Sequence, residues 1–325
     1  MLRRKYMKLA STGSYLPKKV VSNDDLAKIV DTSDEWISQR VGISSRCYAS
    51  TEETTLFMAK KAACDAIASA DIDIKDIGLV LVATSTADAV MPSVAVQLQA
   101  DLGIENCVAF DINAACSGFV YLIDIAMQYI QNGFDRLVLL VASERMSRLM
   151  DWEDRSTCVL FGDGAGAAIF HSSDTPGVVQ SILHSDGKYK DLLYANSSLP
   201  DKLYSTSCHS SILKMEGKKV FKHAVGSLSS LVNELLESSG MRASEIDFLV
   251  PHQANHRIIQ ATAKKLDMPL DRVVLTLDKH GNTSAASIPL ALDYAIKNKI
   301  VARGDVLLLE AFGAGIVWGG CILKY

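Results

Sequence analysis

The 325-residue chain is 49% hydrophobic and 22% charged with a net charge of −4, which excludes disorder, a state of low hydrophobicity and high charge. Twenty glycines and seven prolines exclude collagen-like and low-complexity chains. The mildly acidic balance gives no general attraction to nucleic acid, and no apolar run reaches the ~20 residues of a membrane span. The length suits about two domains. The seven cysteines are an odd number without a C-x-x-C pair, so a reducing, cytoplasmic setting is expected. The opening MLRRKYMKLAS carries the charges of an export signal without its apolar stretch. Its first six residues read as a loose leader before a strand that starts at Met7.

In chain order, residues 54–70 place Leu56, Ala59, Ala63 and Ala66 at helical spacing, and the apolar strand KDIGLVLVATST follows. The strand CVAF then leads through a small-residue turn at Cys116 into a helix over 117–131. That helix is apolar almost all round, as in a helix buried between layers, and stops at Asn132-Gly133. After the strand RLVLLVASE, the turn cluster HSSDTPG divides the chain into halves 1–174 and 175–325. Residues 188–211 read as a long polar loop or insertion. The second half repeats the grammar: a helix over 219–239, the strand FLVP, a strand VVLTL, the turn HGNTSAAS opening a helix, and the strand DVLLLEAFG. Asp111 and Asp278 fall at the same step of the repeat. Unbroken apolar strands with helices between them predict a layered α/β fold, its sheets buried on both faces.

Cys116 opens the buried helix, where the dipole lowers a thiol pKa and favours thiolate. Alone it reads rather as a small core residue. The other six cysteines read as packing residues, Cys64 on an apolar helix face, Cys107 and Cys321 in strands, Cys158 before VLFG. His252 ends the strand FLVP, and Asn282 sits at the step that matches Cys116 in the other half. Carboxyl ends of strands face the ligand crevice in α/β sheets, so Cys116, His252 and Asn282 form a candidate acyl-transfer site. The spacing of His252 and His256 suggests a metal pair, but Gln253 replaces the required glutamate and His252 ends a strand. GDGAGA lacks dinucleotide-loop spacing and reads as close backbone packing. The stretch AFGAGIVWGG reads as a tight turn that brings backbone N–H groups near a reacting carbonyl.

The stretches DTSDEWI, FDINAACSGF, DRSTCVLFGDGAGAA, VPHQANHRII, HGNTSAAS and LLEAFGAG together resemble the signatures of the 3-oxoacyl-acyl-carrier-protein synthase III family. The resemblance runs from about Met7 to Tyr325. It implies a thiolase-like fold of duplicated αβ halves in five α-β-α-β-α layers, a homodimer, and the first condensation of bacterial fatty-acid synthesis. By resemblance, Cys116 takes a short acyl group, acetyl in the first instance, from acyl-coenzyme A, which is a substrate; no cofactor is implied. His252 and Asn282 then stabilise the enolate formed by decarboxylation of malonyl-acyl carrier protein. Backbone N–H groups of Cys116 and Ala314 form a second oxyanion hole, with Ala314 where many members have Gly. Trp36 and Arg155 flank the adenine, and Arg40 stands at the tunnel mouth. Gly217, Phe221, Asn255 and Phe312 line the channel. Where many members have Arg after the Trp36 helix, this chain reads Gly42-Ile43-Ser44. Met91 takes the place of an aromatic residue that crosses the dimer to close the acyl pocket, and a flexible Met there admits longer or branched primers. Lys222, Gln253, Ala254, Arg257 and Lys264 form the docking rim for an acidic carrier protein.

Two other functions fit these residues: a related condensing enzyme of secondary metabolism that makes polyketides, quinolones or ketones with the same triad, and a Cys-dependent thioester hydrolase. By the same resemblance, the absence of a second cysteine in a catalytic turn favours condensation with CO2 loss over thiolysis; the apolar helix behind Cys116 favours an enclosed tunnel over a hydrolase groove.

Overall fold

The computed structural model describes residues 5–70, 72–197 and 211–325. Strand β1 (Tyr6–Tyr15) starts one residue before the expected Met7 and leads to a ribbon of β2 (Lys19–Ser22) and β3 (Ser45–Tyr48). Between those strands lie α1 (Asn23–Leu26) and α2 (Asp34–Val41). Next come α3 (Thr55–Ala68), β4 (Ile77–Ala83), α4 (Val94–Leu102), β5 (Val108–Ile112), α5 (Gly118–Gln131), β6 (Leu137–Arg145) and β7 (Asp163–Ser173). Strand β8 (Val178–Ser185) precedes a ribbon of β9 (Leu193–Ala195) and β10 (Leu213–Met215). The chain ends with α6 (Gly217–Ser239), β11 (Phe248–Pro251), α7 (His256–Lys265), α8 (Leu277–His280), α9 (Ser287–Lys297), β12 (Val306–Gly313) and β13 (Val317–Lys324). Cys208 and most of the expected polar loop lie outside the described residues.

Two sheets, ordered β1-β7-β6-β4-β5 and β11-β12-β13-β8, follow one plan. Each has a parallel pair, β4 with β6 and β11 with β12, followed by antiparallel β7 or β13 and then β1 or β8. Strand β5 extends the first sheet in parallel beside β4. Its counterpart, the expected strand VVLTL, is reduced to a single bridge between Val273 and Leu249. The amides of Thr276 and Leu277 donate to the Gln253 side chain at 2.9 and 3.0 Å, and the chain turns there into α8.

The elements stack in five layers. Helices α3 and α4 pack on the outer face of the first sheet, α5 and α9 lie between the sheets, and α6 and α7 cover the second. On β4, Leu79, Leu81 and Ala83 face the central helices while Val80 and Val82 face α3 and α4, so both periods are apolar. Helix α5 is buried on almost every side, with Phe119, Leu122, Ile123 and Ile130 at zero exposure, as its composition predicts. In GDGAGA, a Cβ on Gly166 would stand 2.8 Å from the Leu290 nitrogen. That glycine lets α9 press on β7, the close packing expected of the motif. Cys64 departs from expectation: α3 buries Met58, Ala59, Ala62, Ala63 and Ala66, and Cys64 points away from that stripe into solvent.

Candidate active site

Two matching elbows build the site. In the first, Asn113 Oδ1 accepts from Ala115 N–H at 3.2 Å, Ala115 takes φ +45°, and a 3-10 turn over Ala115–Ser117 opens α5. In the second, Asn282 Oδ1 accepts from Ser284 N–H at 2.8 Å, Ser284 takes φ +51°, and a 3-10 turn over Ser284–Ala286 opens α9. The register is therefore Asn113 with Asn282 and Cys116 with Ala285. This corrects the expected pairing of Asn282 with Cys116, and it also separates Asp111 from Asp278. Asp111 lies near the end of β5 and Asp278 in α8, two and four residues before their asparagines. The hairpin between β12 and β13 closes over the first elbow. A Cβ on Gly313 would come within 2.8 Å of the Cys116 nitrogen.

Cys116, His252 and Asn282 line one cavity of about 580 Å³. Its walls also hold Trp36, Arg40, Gly217, Phe221, Asn255 and Phe312, six of the residues expected to meet a coenzyme A substrate. Arg40 and Arg155 both stand over the Trp36 ring, at 4.6 and 5.2 Å from its centroid. Arg155 also donates to Asp31. Cys116 is shared with a second cavity of about 870 Å³, lined by Ala314, Ser284, Asn113 and Leu149 among others. Met91 reaches neither cavity and is 79% exposed in the turn before α4.

Hydrogen bonds set the donors. The Ser287 hydroxyl accepts from Gln253 N–H at 3.3 Å and lies 2.6 Å from His252 Nδ1. With Ser287 donating to Nδ1, the imidazole proton resides on Nε2. Burial pushes the His252 pKa down to about 3, so the ring is a neutral donor. Asn282 spends its carbonyl on Ser284 N–H, which leaves its amide hydrogens for the cavity. Burial also pushes the Cys116 thiol up to about 12, against the expected lowering at a helix end. Desolvation outweighs the dipole, with the nearby Ser284 hydroxyl pulling the other way and Glu144 adding to the rise.

Sequence reasoning missed Ser284, Ser287 and two acids. Glu310 lines the main cavity, and its Oε2 has no hydrogen-bond partner; burial raises it to about 8, against a Thr262 hydrogen bond. Glu144 is fully buried and raised to about 7 by burial, against donors from Thr84, Ser85, Thr86 and Ser284. The available signal was a lone carboxylate ending an apolar strand, in RLVLLVASE and again in VLLLE.

On the expected docking rim, Lys222, Arg257 and Lys264 are exposed, Ala254 is half-buried, and Arg257 stands over Phe221 at the cavity wall. Gln253 does not belong there. It is fully buried, donates to Pro251 and Val274 carbonyls, and accepts from Thr276 and Leu277. His256, without an expected role, packs against Gly42, where a Cβ would meet its own Cβ at 2.8 Å. Gly42 holds φ +80° at the end of α2, so this contact seats α7 on the Trp36 helix.

Residues 110–187 match the family description 3-Oxoacyl-[acyl-carrier-protein (ACP)] synthase III, and residues 236–325 match its C-terminal counterpart. The beta-ketoacyl-[acyl-carrier-protein] synthase III of Methylococcus capsulatus is 50% identical over 321 residues, which cover 99% of each chain. The crystal structure of 3-oxoacyl-[acyl-carrier-protein] synthase III from Aquifex aeolicus superposes with a TM-score of 0.92 at 44% identity, over 98% of this chain and all of that one. The priming beta-ketosynthase of the R1128 polyketide pathway reaches a TM-score of 0.94 at 37% identity, over 99% of this chain and 97% of that one. Identity at this level along the whole length, on the same fold, places the chain in the 3-oxoacyl-[acyl-carrier-protein] synthase III family.

Proposed function

We propose that this condensing acyltransferase opens fatty-acid synthesis by a decarboxylative Claisen condensation. Cys116 takes a short acyl group, acetyl first, from acyl-coenzyme A. The acyl-enzyme then condenses with malonyl-acyl carrier protein to give 3-oxoacyl-carrier protein and CO2. The observation that carries this reading is the convergence of Cys116, His252 and Asn282 on one cavity lined by Trp36 and Phe221.

Loss of CO2 leaves an enolate, and the His252 Nε2–H and Asn282 amide donate to its oxygen. Each such donor contributes about 2.7–4 kcal/mol at a transition state. The enolate carbon attacks the Cys116 thioester, and Cys116 N–H and the Ala314 amide hold the tetrahedral oxyanion. Electrons balance without a redox or metal partner, so no cofactor beyond the coenzyme A substrate enters. Coenzyme A lies along the cavity with its adenine at Trp36. A purine needs roughly 7 Å between the two groups that sandwich it; Arg155, 5.2 Å from Trp36, must swing away first. The exposed Lys222, Arg257 and Lys264 give an acidic carrier a basic landing beside the entrance. A second copy of the chain across the β5 edge covers Val90, Met91, Val96 and Val108, all exposed there. The free cysteines among the described residues, four of them buried, suit a reducing cytoplasm.

Intact-mass measurement after incubation with acyl-coenzyme A of graded length tests the nucleophile. Wild type gains one acyl mass and Cys116→Ala gains none; a gain that persists in Cys116→Ala overturns the assignment. Asn282→Ala is expected to keep self-acylation and to lose condensation by 10²-fold or more, on the order of one missing oxyanion donor. The identity to a polyketide-priming ketosynthase favours a second reading, primer supply to secondary metabolism. A panel of carrier proteins separates the two.

A further inference from the structure

Two buried groups that the condensation does not use meet behind Cys116. Ser284, in the second elbow, lines the second cavity together with Cys116, and hydrogen bonding from its hydroxyl pulls the thiol pKa down against burial. The same hydroxyl donates to Glu144 Oε1 at 3.2 Å. Glu144 is held at the end of β6 by Ser85 N–H at 3.1 Å and by the Thr86 and Thr84 hydroxyls at 2.6 and 3.4 Å. Those three groups and Ser284 do not titrate in the working range; Cys116, from the first elbow, is the titratable group set against the carboxylate.

A hydroxyl has one hydrogen, so Ser284 cannot donate to both neighbours. With Glu144 ionised, Ser284 donates to the carboxylate and accepts from the thiol. With Glu144 protonated, Ser284 accepts from the acid and donates to a thiolate. The two arrangements differ only in the position of the protons along one chain of three groups.

We propose that Ser284 and Glu144 are the proton relay that makes Cys116 a nucleophile. This rests on the acyl-transfer reading above. As the sulfur pair attacks the thioester carbonyl, the S–H bond breaks and its proton passes to Ser284 Oγ. The Ser284 proton passes in turn to Glu144 Oε1. Collapse of the adduct breaks the bond to the coenzyme A sulfur, and the departing thiolate takes the proton back by the reverse route. Glu144 ends ionised, and coenzyme A leaves as a thiol. Opposed burial and hydrogen bonding hold Glu144 at about 7, suited to proton exchange near neutral pH.

Trapping of Cys116 by iodoacetamide in the full-length protein, located by peptide mass, reads the nucleophile without an acyl donor. Glu144→Gln and Ser284→Ala should each slow trapping at pH 7 about 10²-fold, the lower range of general-base effects, and move its pH inflection upward. Alanine is tolerated in this backbone, because Ala115 occupies the matching elbow position at φ +45°. Ser284→Ala therefore decides the question if Glu144→Gln does not fold by circular dichroism. Wild-type trapping rates and pH profile in Ser284→Ala overturn the relay, while self-acylation of wild type by acyl-coenzyme A stands. A wild type that traps iodoacetamide but gains no acyl mass overturns the acyl-transfer reading instead.

Discussion

Glu310 sets a strong electrostatic contrast for a single residue. Burial raises its carboxyl from 4.5 to about 8, and one oxygen is unpaired. Between those values the folded chain holds a proton that the unfolded chain has released. Stability from this group is therefore lost as pH rises through that window. Glu310→Gln removes the dependence. Its stability relative to wild type, measured by urea unfolding, should climb steadily from pH 5 to pH 8, and a flat difference would contradict a buried neutral acid. His252 is displaced the other way, down to about 3, so its ring stays uncharged at any pH where the enzyme works. A neutral imidazole donates to an enolate oxygen without giving its proton away. The same neutrality weakens the hydrolase alternative, which needs His252 to take and hold the Cys116 proton.

Elements carry these residues by their ends. Asp111, near the end of β5, accepts Val94 N–H and Ala95 N–H at 2.7 Å each and so caps α4 from the neighbouring strand. Asp111→Ala should cost about 1–2 kcal/mol, the range of strong cap losses, read as a lower melting temperature. An unchanged melting temperature would mean that water replaces the cap. Helices α3, α5 and α6 were legible in the sequence within two residues, because their apolar spacing is long and regular. The strand at VVLTL was not. Its apolar run is the same whether a ladder or the Gln253 side chain takes the Thr276 amide, and periodicity does not encode that choice. Register across the elbows was missed for a similar reason. Small residues surround both Cys116 and Ala285, and only the Asn-to-amide turns align them.

At the scale of the molecule, the duplicated plan explains why the site needs both halves. Cys116 stands on the first elbow, while His252 and Asn282 come from the second sheet's side. The meeting of Cys116, His252 and Asn282 at one cavity was legible because strand ends are marked by an apolar run meeting polar residues. The acids behind it were not, since a carboxylate in a buried strand reads alike as cap, core or relay. The exposed Val96 and Val108, at the β5 edge, carry the assembly prediction. If the proposed second copy sits on this edge, Val108→Asp should shift the chain from dimer to monomer in sedimentation, and a wild type that already sediments as a monomer would overturn that assembly. Under the proposed assembly, in which Met91 reaches a second copy's acyl pocket, the substitution should also reduce acylation by longer primers more than by acetyl.

Cys116 lines both cavities, together with Phe161 and Leu193, and stands where one chamber gives onto the other. Under the proposed chemistry, the primer's tail rests on one side of the sulfur and both thioester arms approach from the other. The spent coenzyme A and the incoming carrier arm then share a single berth. Turnover is forced into two strokes, with the first product gone before the second substrate arrives. An oversupplied primer thioester becomes an obstacle to its own elongation.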